Sequence, residues 1–134
     1  MKICIAIAAI LIMFMACSEN EPTESRPVRI NHRQAQEMML NDDVLIIDVR
    51  TPEEFAGGFI ENAILIPVNE IETLAPALIP DKGRTLLVYC RSGSRSNAAA
   101  HTLVRMGFTS VYDFGGIMDW EGPIKFSPVE DAIY

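Results

Sequence analysis

The chain has 134 residues, 49% hydrophobic and 22% charged, with a formal net charge of −7. That length makes one domain, and so acidic a chain is not built for nucleic acid, whose partners neutralise phosphates with clustered Lys and Arg. The histidines, His32 and His101, stand apart from each other and from Cys4, Cys17 and Cys90, so no Cys/His spacing suggests a metal site.

Residues 1–16 hold Lys2, the apolar run Ile3–Met15 and the small Ala16 ahead of Cys17, which reads as a signal peptide. The run falls short of the roughly 20 residues a helix needs to span a bilayer. Phe14-Met15-Ala16-Cys17 resembles a bacterial lipobox, with Phe14 where leucine is usual, and predicts removal of 1–16 and lipidation of Cys17. An ordinary signal peptide cut nearby, leaving Cys17 a thiol, is the alternative. Loss of Lys2 leaves 10 basic residues against 18 acidic, a net −8, so membrane contact would come from the N-terminal acyl chains alone. The expected location is the bacterial cell envelope, periplasmic or outer membrane, and Ser18 after the cysteine resembles the outer-membrane sorting pattern. With Cys4 removed and Cys17 blocked, Cys90 is the free thiol and no internal disulfide is expected. Residues 17–27 read as an acidic, proline-containing tether, and 28–134 as the folded domain.

Within the domain, Val28-Arg29-Ile30 predicts a short strand, Asn31 an N-cap, and Ala35, Met38 and Met39 one side of a helix ending near Leu40-Asn41. Val44–Ile47 is an uninterrupted aliphatic run, expected to be a central strand, and it ends in Asp48-Val49-Arg50. Thr51, Pro52 and Glu54 form a capping box that opens a short helix closed by Gly57-Gly58. Ala63–Ile66 predicts a third strand stopped by Pro67. A helix from Asn69 or Glu70 runs through Ile71, Leu74 and Leu78 to the break at Pro80–Gly83.

Leu86–Tyr89 predicts a strand buried on both faces, stopping at Cys90. From Ser96, good helix formers place Ala99, Leu103 and Met106 on one face ahead of Gly107, with Ser94 or Ser96 as N-cap. Val111–Phe114 supplies a fifth strand, Gly115-Gly116 turns into Ile117–Trp120, and the tail from Gly122 reads as irregular. Strands alternating with short helices imply an α/β domain: an about five-stranded, mostly parallel sheet with helices on both faces. Sites in such sheets form at the carboxyl ends of the strands, where Cys90 and Asp48-Val49-Arg50 both fall.

Arg91, Ser92, Gly93, Ser94, Arg95 and Ser96 are small or cationic residues able to curl tightly and turn N–H groups inward, an anion cradle. A helix start and two guanidinium groups beside Cys90 favour thiolate over thiol. The helix end alone is worth about 0.3–1 kcal/mol, so either arginine can matter as much. The plain alternative is an inert buried cysteine at a strand end. Arg, Ser and Gly neighbours weigh against it.

Three sets of residues, in order, resemble the single-domain rhodanese family of sulfurtransferases. Asp48-Val49-Arg50, Glu54-Phe55, Gly58-Phe59-Ile60, Ala63 and Ile66-Pro67 stand where that family reads DVR, E-[FY], G-H-I, A and I-P. Val88–Ser96 matches its active-site strand and loop, and Gly115-Gly116 with Trp120 its closing turn. The match covers about Ile30 to Trp120. Phe59 replaces the usual histidine, and Asn62 and Leu65 also depart from the family pattern.

The resemblance implies a rhodanese-like fold and a catalytic Cys90. The Cys90 thiolate takes the sulfane sulfur of a small anionic donor such as thiosulfate as a persulfide and yields it to a thiol or cyanide acceptor. In that reading Arg91, Ser92, Gly93, Ser94, Arg95 and Ser96 bind substrate, and no metal or cofactor is needed. Two rivals remain. One is a rhodanese-like binding or sulfur-carrier module with little turnover. The other is a cysteine phosphatase or arsenate reductase, whose common pattern needs five residues between Cys and Arg; here Arg95 comes one position early.

Overall fold

The computed structural model describes residues 25–41 and 43–127. The stretch read as a signal peptide, Cys17, most of the stretch read as a tether and the last residues, from 128 on, lie outside the described residues. Five strands, β1 (Val28–Arg29), β2 (Leu45–Asp48), β4 (Ala63–Leu65), β5 (Leu86–Cys90) and β6 (Val111–Gly116), form one sheet in the order β1-β6-β5-β2-β4. Every pairing in it is parallel, so all five carboxyl ends meet along one edge. The helices are α1 (His32–Met38), α2 (Pro52–Ala56), α3 (Ile71–Leu78) and α4 (Ser94–Arg105).

β5 is buried at every residue, and its alternation divides the core. Leu86, Val88 and Cys90 pack with Ile47, Val49 and the α3 and α4 residues Ile71, Ala75, Ala99 and Leu103. Leu87 and Tyr89 pack with Ile46, Ala35 of α1 and Phe114 on the opposite face. Helices therefore cover both faces, as a parallel sheet requires. At roughly 25 cal/mol per Å² of apolar surface removed from water, these two layers are the main source of stability.

The caps at Asn31 and Thr51 are both full capping boxes, closed by Gln34 and Glu54. Several boundaries move. The third strand stops at Leu65, and a 3-10 turn, Val68–Glu70, precedes α3. The last main strand runs on to Gly116. The tail is not wholly irregular: β7 (Ile124–Lys125) pairs antiparallel with β3 (Phe59–Ile60) in a separate two-stranded ribbon. Two residues per strand are too few to leave an alternation in sequence. Phe59 stacks on Phe55 with ring centroids 4.0 Å apart, so the departure from the family histidine is absorbed by packing.

Candidate active site

Cys90 ends β5 pointing toward the α4 side of the sheet and is fully buried. The chain then reverses through Arg91 and Ser92 to Gly93, whose φ of 108° lies in the left-handed region that favours glycine. This turn brings the Gly93 N–H to Cys90 Sγ at 3.0 Å. Gly93 is the N-cap residue of α4, with no side-chain cap; neither Ser94 nor Ser96 caps the helix. Ser96 sits inside its first turn, and its single hydroxyl proton has the carbonyls of Gly93 (3.0 Å) and Gly115 (3.3 Å) as alternative acceptors beside the Cys90 sulfur. A Cβ on Gly116 would collide with the Arg91 carbonyl and come within 2.7 Å of Ser92 Cα, so only glycine lets the two loops close on each other.

Burial pushes the Cys90 thiol up, but the Ser96 N–H and hydroxyl and the N–H groups of Gly93 and Ser92 outweigh it, and the net direction is down. Hydrogen bonds to the charged form do this. Neither arginine ranks with them, which corrects the expectation that Arg91 or Arg95 matters as much as the helix start. Arg91 is exposed. Arg95 makes a bidentate pair with Glu54, Nη1 to Oε2 at 2.7 Å and Nη2 to Oε1 at 2.8 Å. Cys90 raises the Arg95 pKa less than Glu54 does. Glu54 in turn accepts the Thr51 N–H at 3.0 Å. The hydrogen bonds from Arg95, set against burial, bring its carboxyl down from 4.5 to about 2.

Asp48 and Arg50 lie at the same end of the sheet but belong to its other side. Arg50 Nη2 meets Asp48 Oδ2 at 2.6 Å and the Gly58 carbonyl at 2.7 Å. The Tyr89 hydroxyl accepts the Ile60 N–H at 3.0 Å. Burial, reinforced by Asp48, raises the tyrosine pKa. The network ties β2 and β5 to the α2–β3 corner, and Asp48, Arg50 and Tyr89 are buried within it.

Of the residues singled out, the structure thus gathers Cys90, Ser92, Gly93 and Ser96 around one sulfur, leaves Arg91 and Ser94 on the surface, and turns Arg95 to Glu54. Glu54 as the partner of Arg95 was not foreseen, because a capping box already accounts for a glutamate there. The Arg29–Asp113 ion pair between the end of β1 and the middle of β6, 2.7 Å, was likewise beyond the sequence pattern. Among the described residues no group of three or more His, Cys, Asp and Glu is placed to hold a metal.

The Rhodanese-like domain family model matches residues 31–122, and the chain belongs to that family. The thiosulfate sulfurtransferase PspE of Escherichia coli (strain K12) is 40% identical over 73 residues, 54% of this chain and 70% of that protein. A sulfurtransferase of Allochromatium vinosum is 39% identical over 87 residues, 64% of this chain and 79% of the relative. Among solved structures, a "rhodanese with anions from E. coli" superposes with a TM-score of 0.60 at 36% identity, covering 63% of this chain and 99% of that one.

Two outcomes follow for this site. Thiolate absorbance against pH, taken as the difference between wild type and Cys90→Ser, should show a midpoint below the ordinary cysteine value of about 8.5, and Ser96→Ala should raise it; a midpoint unmoved by that change would remove the hydroxyl from the argument. Glu54 is held below its unfolded value, so its contribution is full above pH 4.5 and is lost as pH falls from 4.5 towards about 2. Urea midpoints should fall more steeply through that window for wild type than for Glu54→Gln.

Proposed function

We propose that the chain is a sulfurtransferase that moves sulfane sulfur from an anionic donor such as thiosulfate, through a persulfide on Cys90, to a thiol or to cyanide. The observation that carries this is the 3.0 Å hydrogen bond from the Gly93 N–H to a buried Cys90 Sγ, which favours the charged form of a nucleophile enclosed by a donor-lined loop. Membership of the family and relatives named as sulfurtransferases support it.

In the first step the Cys90 thiolate attacks the outer sulfur of thiosulfate. A bond forms between that sulfur and Sγ, the sulfur–sulfur bond of the donor breaks, and its electron pair leaves with sulfite. The transferred sulfur carries the negative charge, and the N–H groups of Ser92, Gly93 and Ser96 are the groups available to stabilise it. In the second step an acceptor thiolate or cyanide attacks that outer sulfur, and the electron pair of the broken bond returns to Sγ. No net electrons are gained or lost by the protein, so the chemistry requires no redox partner. Phosphatase chemistry fits less well. Arg95 comes one residue early for that pattern, and both of its terminal nitrogens are engaged by Glu54 rather than turned to an oxyanion.

The leader supports an envelope location, with a lipid on Cys17 holding the domain at a membrane by way of the 17–27 tether. Binding to small molecules, not nucleic acid, suits so acidic a chain.

Incubating the protein with thiosulfate should add the mass of one sulfur, discharged by cyanide, and Cys90→Ser should add none. Wild type that takes up no sulfur from any donor yet cleaves an aryl phosphate through Cys90 would replace this reading with the phosphatase one. Sulfur that loads but passes to no acceptor would favour the carrier module. For the leader, detergent-phase partitioning of the expressed protein should be lost in Cys17→Ala; equal partitioning of the two would end the lipid assignment.

A further inference from the structure

Resting on the sulfurtransferase reading, we infer that the cleft lined by Arg29, Asn31, Gln34 and Ser92 seats the acceptor, and that this acceptor is a thiol carrying a single carboxylate, which Arg29 binds. The parallel sheet sets up the arrangement. β6 lies between β5 and β1, so the carboxyl end of β1 delivers Arg29 one strand beyond the loop after Cys90. Its guanidinium Nη1 is fixed by Asp113 Oδ2 at 2.7 Å, and that carboxylate is buried while the Arg29 side chain stays 61% exposed.

The other end of the fork reaches toward the cysteine loop. Arg29 Nη2 passes so close that a Cβ would stand 3.0 Å from it on Gly115 and 3.5 Å from it on Gly93. Gly93 is the residue whose N–H holds Sγ. A partly exposed guanidinium therefore lies against the backbone that cradles the reacting sulfur. It is oriented by a buried carboxylate and is not consumed by a bidentate pair as Arg95 is.

The cleft beside it has a volume of about 850 Å³ and is walled by Arg29, Asn31, Gln34, Ser92, Met118 and Asp119, among others. The side-chain oxygens of Asn31 and Gln34 accept the capping N–H groups at 2.8 and 2.9 Å, so what these amides offer a ligand is NH2. Arg29, two amides and Ser92 make a donor-rich wall suited to a carboxylate. Two features choose the acceptor over the donor. The volume is that of a site for an organic molecule of some size, far more than thiosulfate or cyanide fills. Asp119 puts one negative charge on the rim, which penalises a small dianion more than a monoanion. The exposed Met118, 66% accessible, gives the ligand's carbon skeleton an apolar wall.

The transfer itself balances as before. The acceptor thiolate attacks the outer sulfur of the Cys90 persulfide, a sulfur–sulfur bond to the acceptor forms, the bond to Sγ breaks, and its electron pair stays on Sγ. Arg29 takes no part in bond making; it is a specificity-determining residue.

The test uses protein loaded with sulfur from thiosulfate and follows discharge by N-acetylcysteine and by its primary amide, which differ in the carboxylate. The readout is the ratio of the two second-order rate constants, each corrected for the acceptor's thiolate fraction. Arg29→Gln should lower the carboxylate-to-amide ratio roughly ten-fold, the scale of one charge-assisted hydrogen bond, and Arg29→Lys should restore part of it. Because Arg29→Gln leaves Asp113 buried without its partner, the double variant Arg29→Gln, Asp113→Asn should show the same lowered ratio. If both acceptors slow equally, or neither does, the ratio stays put and the inference falls while the sulfurtransferase reading stands. Wild type that never loads sulfur would overturn both.

Discussion

A charged sulfur at the closed end of a buried strand is stable only if the backbone just beyond it can fold N–H groups back onto it. Everything at the carboxyl edge of this sheet serves that constraint. Cys90 has no accessible surface, and burial by itself favours the neutral thiol. The reversal at Gly93 supplies the compensating donors, and it needs a left-handed residue there and a second glycine, Gly116, where β6 passes under Arg91 and Ser92. A register shift in the β5–β6 pairing, where Tyr89 aligns with Gly115 after Val88 has aligned with Asp113, brings the glycine pair opposite Tyr89 and Cys90. Bulges of this kind re-aim a chain next to a site.

The alternation of β5 then separates two tasks that neighbouring residues would otherwise confuse. Cys90 faces the α4 side, where the helix start and its hydrogen-bond donors are. Tyr89, one residue earlier, faces the α1 side and locks into the Asp48–Arg50 network. That network satisfies its charges internally, as a buried ion pair must to avoid a large desolvation cost, and so it fixes the positions of β2 and β5 without competing for substrate. Rigid positioning of the nucleophile and freedom from stray charge near it come from the same period-two pattern.

Much of this was legible in the chain because local rules agreed with one another. Aliphatic runs at 44–47 and 86–89 marked the central strands, two capping boxes marked helix starts, and a small, cationic stretch between a strand and a helix marked the cradle. What escaped notice depended on residues far apart in sequence. Glu54 and Arg95 are 41 positions apart, and Glu54 already had a complete local explanation as a cap. Arg29 and Asp113 are 84 apart and meet only because β1 and β6 pair at one sheet edge. Ser94 and Ser96 are good N-cap types, yet the loop begins the helix earlier, at a glycine, because Ser96 is needed inside the first turn to bond Gly93 and Gly115. The β3–β7 ribbon escaped because pairs of two residues carry no periodic signal.

Charge is where local reading and folded structure diverge most. Four arginines, Arg29, Arg50, Arg91 and Arg95, gather at or near the carboxyl edge of an otherwise acidic chain, and unpaired they would make a strongly positive pocket. In the fold Asp48, Glu54 and Asp113 each claim one of them, so three of the four positive charges are matched there. Anion stabilisation at Sγ is thereby left to N–H dipoles at hydrogen-bond range, which act on the sulfur and little beyond it. A cradle of that kind discriminates by position rather than by total charge: it favours negative charge on the transferred sulfur, where the donors converge, over charge spread across the oxygens of a larger oxyanion. The balance of carboxylates against arginines thus does as much to define the chemistry of this site as the cysteine loop itself.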